Sequence, residues 1–373
     1  MKVWPIRAIL VVQTILCLAH LFLYLTWRHF GWPLSPAGLN ALRIGLSILS
    51  FSFIVACIFA FRIVHPLVAL MYKLAVLWLG VLHLLFLAAI TAWIIDPLTL
   101  LLSTPDRLAV RAHLAAVLLL VVFVLALYSL VNARIVRTRR IVVRLPNLPE
   151  AWHGRTALLL TDLHLGNVNS AGFARRIAHM ASTLHPHAIF VSGDLFDGLA
   201  DEPHSLVAPL VELAKSVPVY FVSGNHEQFG GTTHYIDALE PSPIHVLDNR
   251  SVTLDGLRLI GVSYELSTSP IAFRAFLEEQ LLAPGQPSIL LNHVPHGLPI
   301  VADCNISLQL SGHTHSGQMF PFNLVARRAF GPYTYGLQRL GELQVYTSSG
   351  TGTWGPPMRL GTAPEIVLLK FES

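Results

Sequence analysis

The chain has 373 residues, 53% of them hydrophobic and only 12% charged, a balance too apolar for an ordinary soluble protein. Its net charge of +4 is modest, and its arginines cluster just after the last apolar run; that pattern reads as a membrane-topology signal and argues against a nucleic-acid partner. Of three cysteines, Cys17 and Cys57 lie inside apolar runs and Cys304 stands alone, which excludes a disulfide framework.

Four stretches have the length a bilayer requires: 8–27, 44–61, 74–95 and 114–130. They predict a four-helix transmembrane bundle within residues 1–133. Trp4, Trp27, Trp32, Tyr72, Trp93 and Tyr128 fall near the ends of these runs, where amphipathic rings favour the interface. The first run is longer than a signal-peptide core and no small-x-small cleavage site follows it, so it reads as a retained helix. Basic residues alternate unevenly between the ends. Lys2, Arg7, Arg62, Lys73, Arg134, Arg137, Arg139, Arg140 and Arg144 share one side, against Arg28, Arg43, Arg107 and Arg111 on the other. The richer side is expected to be cytoplasmic, which places both termini and the second half of an integral inner- or plasma-membrane protein there. Three or five spans would invert the relation between the ends. His20 and His83 lie inside spans without carboxylate partners, and a helix–helix hydrogen bond is the expected role. Residues 134–139 read as a basic linker, and 140–145 already alternate like a strand. So short a connection is expected to hold the following domain, 140–373, against the membrane surface.

In that second half, short apolar runs alternate with helical spacing at 171–184, 205–215 and 272–282. The run 157–160 ends in Asp162 and His164, and 188–191 ends in Gly193-Asp194. The run 219–222 ends in Gly224-Asn225-His226-Glu227, 289–291 ends in His293, and 306–310 ends in Ser311-Gly312-His313-Thr314-His315-Ser316-Gly317-Gln318. Each cluster lies where a strand leaves its sheet, the place where open α/β architectures put ligands. A single Gly-Asp after a strand is ordinarily a turn. Five in succession instead gather two carboxylates, one amide and four imidazoles, with no thiolate to mark a structural zinc site. Seven such ligands, one of them bridging, fit a two-metal site about 3.5–4 Å across.

In this order the blocks Asp-x-His, Gly-Asp, Gly-Asn-His-Glu, His and Gly-His-x-His resemble the calcineurin-like metallophosphoesterase superfamily. Gly-His-Thr-His-x-Gly-Gln and the tail Ser348-Ser349-Gly350-Thr351-Gly352-Thr353-Trp354-Gly355-Pro356-Pro357-Met358-Arg359 resemble its membrane-associated YkuE/YaeI-like branch, with Ser316 where that branch often has glycine. The resemblance covers most of the second half and none of the first. It implies a β-sandwich of two mixed sheets flanked by helices, rather than the doubly wound sheet that periodicity alone suggests. It further implies that Asp162, His164 and His315 hold one metal ion, that Asn225, His293 and His313 hold the other, and that Asp194 bridges them. His226 is the implied non-ligand histidine facing the scissile ester. Such a ligand set accepts manganese, iron or zinc, and two divalent ions are expected, with manganese favoured. The implied reaction is hydrolysis of a phosphodiester or pyrophosphate by a metal-bridging hydroxide, with His226 protonating the leaving oxygen or stabilising its developing charge as an imidazolium. Glu227 either orients that ring or is a solvent-exposed turn carboxylate, and Asp197 is expected to brace a ligand histidine.

Residues 320–335 mix Phe320, Phe322, Leu324, Val325 and Phe330 with Arg327 and Arg328. They read as a loop, either dipping into the membrane interface or packed on the sandwich. With the short linker, this favours an amphiphilic, lipid-linked phosphoester as substrate; the pyrophosphate of UDP-diacylglucosamine, attributed to some relatives, is one candidate the resemblance supplies. Two other readings stand beside the enzyme: a binding scaffold that keeps the fold without turnover, and a transporter or sensor regulated by the soluble half.

Overall fold

The computed structural model describes residues 6–198 and 202–373, so Lys2 and Trp4 lie outside the described residues. The chain divides into two compact units near residue 132.

Among the described residues of the first unit, four helices are long and apolar enough to cross a membrane: α1 (Ile6–Phe30), α2 (Pro36–Ala60), α3 (Pro66–Ile95) and α4 (Thr104–Arg134). All are longer than their apolar runs, and in α2 and α3 capping chemistry rather than hydropathy sets the start. The Ser35 hydroxyl accepts from the Gly38 N–H at 3.1 Å and the His65 ring from the Leu67 N–H at 3.2 Å, each followed by proline at the first helical position. The intramembrane histidine at position 20 has the expected interhelical bond: Trp78 Nε1 on α3 donates to His20 Nε2 on α1 at 2.9 Å. A denser polar cluster went unforeseen. Asp96, buried in the turn after α3, receives Arg111 Nε at 2.6 Å and Nη2 at 2.8 Å and lies 2.9 Å from His29 Nε2. This forked, charge-assisted pair ties together the ends of α1, α3 and α4.

Only Ile135 and Val136 separate α4 from the first strand, β1 (Arg137–Arg144), so much of the basic stretch expected as linker is strand. The second unit is built on two six-stranded mixed sheets. One has the order β1-β12-β2-β3-β4-β5, with β2 (Thr156–Leu160), β3 (Ala188–Ser192), β4 (Val219–Val222), β5 (Ile244–Val246) and β12 (Glu365–Glu372). The other has the order β10-β11-β9-β8-β7-β6, with β6 (Arg250–Leu254), β7 (Leu257–Gly261), β8 (Ser288–Leu291), β9 (Leu308–Ser311), β10 (Gly336–Leu340) and β11 (Leu343–Thr347). Most neighbours in each sheet run parallel, and an antiparallel pairing, such as β12 on β2 inside the first sheet or β6 on β7 at the edge of the second, makes it mixed.

The strands are nearly continuous apolar runs because both faces are covered. Leu159, Phe190, Val222, Leu259, Leu291, Leu310 and Tyr346 interdigitate between the sheets. Outside the first sheet, Leu158, Val191 and Phe221 pack on α5 (Ala171–Thr183), α6 (Pro203–Ala214) and α8 (Thr232–Leu239). Outside the second, Ile260, Leu290 and Val345 pack on α10 (Pro270–Glu278) and α11 (Leu298–Asp303). Two short helices, α7 (Asn225–Gly230) and α9 (Tyr264–Ser267), follow strand ends. Helix α10 stops short of the expected end, and Leu281 beyond it sits at φ +51°. Part of the segment expected as a loop at 320–335 is instead a helix, α12 (Phe322–Phe330); its interior lacks glycine and proline and carries two good helix formers, Arg327 and Arg328.

Candidate metal centre

The ends of β2, β3, β4, β8 and β9 converge, and backbone bonds lock their loops into one body. Asp162 N–H donates to Gly193 O at 3.1 Å, His164 N–H to Asp194 O at 3.0 Å, and Gly312 N–H to His293 O at 2.9 Å. The tail joins from the other side: Thr351 N–H donates to Thr161 O and Gly352 N–H to Asp162 O, both at 2.8 Å.

All seven residues expected as ligands lie in this body. His164 Nε2 sits 3.0 Å from His315 Nε2, which lies 3.4 Å from Asp162 Oδ1. On the other flank, His293 Nε2 is 3.2 Å from Asp194 Oδ2 and 3.2 Å from Asn225 Oδ1, and Asn225 Oδ1 is 2.8 Å from His313 Nδ1. Asp194 reaches both flanks, its Oδ2 also lying 3.8 Å from His164 Nε2. Three sets of side chains have ligand atoms close enough to hold an ion: Asp162, His164 and His315; His164, Asp194 and His226; Asp194, His293 and His313.

The surroundings suit cations. Apart from the half-buried His313, the expected ligands are buried. Burial is the largest influence on His164, His313 and His315 and pushes all three imidazoles down, His313 to about 3, so their nitrogens carry lone pairs as metal ligands must. Burial also pushes Asp162 up, to about 6, a cost that bound cations would relieve. Asp194 behaves oppositely: burial would raise it, but the His293 and His226 charges outweigh that and hold it well down. His293 is the reciprocal case, held up at about 9 by Asp194 against its own burial. Two glycines give the donors room. A Cβ at Gly224 would collide with Asp194 Oδ1, and one at Gly312 with Thr161 Oγ1 and Asp162 Oδ2. The donor set and the space around it fit divalent metal ions.

Residues 156–317 match the sequence model of the calcineurin-like phosphoesterase family. The chain carries a calcineurin-like metallophosphoesterase domain. It is 33% identical over 218 residues to an uncharacterized metallophosphoesterase of Helicobacter pylori, covering 57% of this chain and 59% of that one. It is 32% identical over 291 residues to a transmembrane protein with metallophosphoesterase domain from Bos taurus, covering 73% of this chain and 65% of that one. With the uncharacterized metallophosphoesterase YkuE of Bacillus subtilis, identity is 27% over 245 residues, covering 61% of this chain and 82% of that one. The chain thus spans about three fifths of the length of the Helicobacter relative.

Around the metallophosphoesterase centre, three residues behave differently from expectation. Glu227 is neither solvent-exposed nor on the His226 ring. It is fully buried and accepts from the N–H groups of Gly224 at 2.6 Å, Phe196 at 2.9 Å and Asp194 at 3.0 Å, stitching the β3 and β4 loops together. Burial, then the Asp194 charge, pushes its carboxyl up to about 7. The Asp197 carboxylate lies 3.8 Å from both His164 Nδ1 and His226 Nδ1, beyond hydrogen-bond length. Its carbonyl oxygen acts instead, 2.8 Å from His226 Nδ1.

The third is Arg359 at the end of the Ser-Gly-rich tail, to which the sequence alone assigns no role. It is fully buried, and its guanidinium donates to the carbonyls of Gly352 at 2.5 Å, Ser349 at 2.7 Å, His315 at 3.1 Å and Gly350 at 3.4 Å. Nη2 also lies 3.2 Å from His315 Nδ1. Burial brings the guanidinium down to about 10. An arginine following a Ser-Gly-rich tail was the available signal, but nothing local to it points at a carbonyl cage.

Proposed function

We propose that this chain is a membrane-anchored phosphoester hydrolase that works with two divalent ions, manganese favoured, on a phosphodiester or pyrophosphate of an amphiphilic molecule. The observation that carries the reading is the convergence of Asp162, His164, Asp194, Asn225, His293, His313 and His315 on one buried centre. Asp162, His164 and His315 are assigned to one ion and Asn225, His293 and His313 to the other, with Asp194 between. When bound, the ions supply positive charge to the phosphoryl oxygens and acidify a water nucleophile.

The chain's own residues do the rest. His226 is adjacent to the centre, its ring edge-on to His164 with centroids 4.5 Å apart. Although His226 also falls within reach of His164 and Asp194, we assign it to the leaving group rather than to an ion because the resemblance to calcineurin-like phosphoesterases implies a non-ligand histidine at this position. With Nδ1–H held on the Asp197 carbonyl, Nε2 is the atom that gives and takes the proton at the leaving oxygen. Glu227 and Arg359 fix the loops that aim the ligands.

The amphiphilic substrate is supported by α12. Asn323, Ala326 and Phe330 turn half-buried toward the domain, while Phe322, Leu324, Val325, Arg327 and Arg328 are exposed. Apolar side chains among arginines suit a lipid interface with anionic headgroups. Multi-pass insertion and a cytoplasmic catalytic domain belong to the same proposal, on the strength of the basic-residue asymmetry.

The test is hydrolysis of bis-p-nitrophenyl phosphate by the purified full chain with added manganese. Asp194→Asn should abolish it; activity that survives this change refutes the site, and a wild type that binds manganese without turnover points to the scaffold reading.

A further inference from the structure

Two large aromatic rings stand exposed beside His226. Trp354 is 53% exposed with its ring centroid 6.0 Å from the imidazole, and Phe229 is 42% exposed with its centroid at 5.3 Å, both edge-on. Neither is a loosely held surface residue. Gln318, closing residue of the Gly-His-Thr-His-Ser-Gly-Gln motif, clamps the Trp354 backbone at two points: its Nε2 donates to Trp354 O at 2.8 Å and its Oε1 accepts from Trp354 N–H at 3.0 Å. Next door, Asn169 Nδ2 donates to Thr353 O at 3.3 Å. Gln318 is itself anchored, its N–H donating to His315 O at 3.0 Å and its carbonyl accepting from Leu360 N–H at 3.0 Å. The backbone under Trp354 is thus fixed to the metal loop, while the indole is left exposed. Phe229 sits in α7, whose first residues are Asn225 and His226, so it too is carried by an element that builds the centre.

Isolated exposed aromatics need no explanation. Two on one imidazole, one of them held by a bidentate clamp, resemble the rigid aromatic anchors of a binding site. We propose that Trp354 and Phe229 form a leaving-group subsite that takes an apolar group, aryl or alkyl, attached to the departing oxygen. The assignment rests on His226 serving that oxygen, as in the function proposed above. It narrows the substrate class to phosphoesters whose leaving group carries apolar surface. Gln318 is the positioning residue for the subsite.

Phosphonates separate this inference from turnover, because their C–P bond is not cleaved by ester hydrolysis. The manganese-loaded full chain in nanodiscs is titrated calorimetrically with methylphosphonate, hexylphosphonate and (1-naphthyl)methylphosphonate. The apolar ligands should bind about tenfold tighter than methylphosphonate, the discrimination a few apolar contacts supply, and Trp354→Ala should erase that preference. Gln318→Ala should weaken it in the same direction. A preference confined to the naphthyl ligand assigns aromatic stacking, and one confined to the hexyl ligand assigns an alkyl chain. Equal affinity for all three in the wild type, no binding of any, or equal weakening of all three in Trp354→Ala overturns the subsite. A preference that persists in a protein unable to hydrolyse bis-p-nitrophenyl phosphate leaves the subsite standing and overturns the hydrolase reading instead.

Discussion

Replacing Arg359 by methionine removes a buried cation whose hydrogen bonds go to carbonyl oxygens, and the expected loss can be worked from its contacts. Three of those bonds, at 2.5, 2.7 and 3.1 Å, are short enough to count fully. Hydrogen bonds to charged groups contribute about 1.5–3 kcal/mol each, so the gross loss is roughly 5–9 kcal/mol. Against this, methionine avoids the several kcal/mol of desolvation that the buried guanidinium costs. The net destabilisation is therefore about 2–4 kcal/mol, which for a domain of this size lowers Tm by roughly 4–16 °C. Thermal unfolding of the full chain in detergent, followed by fluorescence, measures it. A second readout separates stability from assembly. The loops that Arg359 ties carry His315 directly and Asp162 through the Thr351 and Gly352 N–H groups. On the proposed assignment, manganese affinity should fall by about 10–100-fold, as for other residues that orient ligands, with the ion assigned to Asp162, His164 and His315 lost first. Arg359→Lys keeps the charge but not the fork and should fall between. A methionine variant whose Tm stays within about 1 °C of wild type, with metal content unchanged, refutes this account.

Other consequences can be checked with the same preparations. His226→Gln should lower kcat on bis-p-nitrophenyl phosphate by about 10²–10⁴-fold while leaving manganese stoichiometry unchanged; loss of metal would make His226 a ligand. Glu227→Ala leaves three buried N–H groups without their acceptor, each costing about 1–3 kcal/mol, so circular dichroism melting should show one of the largest single losses in the domain. Gly312→Ala places a Cβ on Thr161 Oγ1 and Asp162 Oδ2, and should reduce metal binding more than Gly331→Ala, where a Cβ meets open space. Changing Phe320 and Phe322 together to serine should slow lipid esters more than bis-p-nitrophenyl phosphate in the full chain; equal slowing of both would count against an interfacial helix.

The cluster was legible in the sequence to the extent that each expected ligand sits at the end of an apolar run. Strand ends can be read because β2, β3, β4, β8 and β9 are buried on both faces and so lack polar interruptions. Strands with other environments were missed. β6 and β7 alternate more weakly, and their best signal was Asp255-Gly256, both at positive φ, a pair suited to a tight hairpin turn. β12 lies between β1 and β2, bonded parallel to one and antiparallel to the other. No local pattern specifies such a partner choice, which is why periodicity alone suggested a doubly wound sheet. Contacts made across more than a hundred residues were likewise out of reach: Asn132 Nδ2 to the carbonyls of Arg359 and Thr362, or Ser192 Oγ to Leu310 O. The Asp96–Arg111 pair escaped because each residue, taken alone, looks like an ordinary helix-end charge.

Two glycines of the metal motifs, Gly224 and Gly312, have a different purpose from the one their sequence positions suggest, whereas Gly193 and Gly317 do hold φ of +84° and +82°. In Gly-His-x-His the expectation is that glycine supplies the unusual backbone so that both rings can turn inward. Yet His313 and His315 themselves hold φ of +68° and +46°, and Asp162, His164 and Asp194 hold +53°, +48° and +50°. Five of the seven expected ligands thus occupy the left-handed region that non-glycine residues avoid, at about 1–3 kcal/mol each. Gly224, at φ −103°, is not in that region, and Gly312 has no positive φ either; both are places where a Cβ would strike a ligand carboxylate. Space is what those glycines provide, and the strain falls on the expected ligands. It persists because other groups over-determine the loops: Thr161 Oγ1 on the Asp162 carboxylate at 2.8 Å, Glu227 across three N–H groups, and Arg359 across four carbonyls. Strain concentrated on donor residues, and held there by buried charges that are not donors, is what a preorganised metal site requires. A surface turn with the same residues would relax out of it.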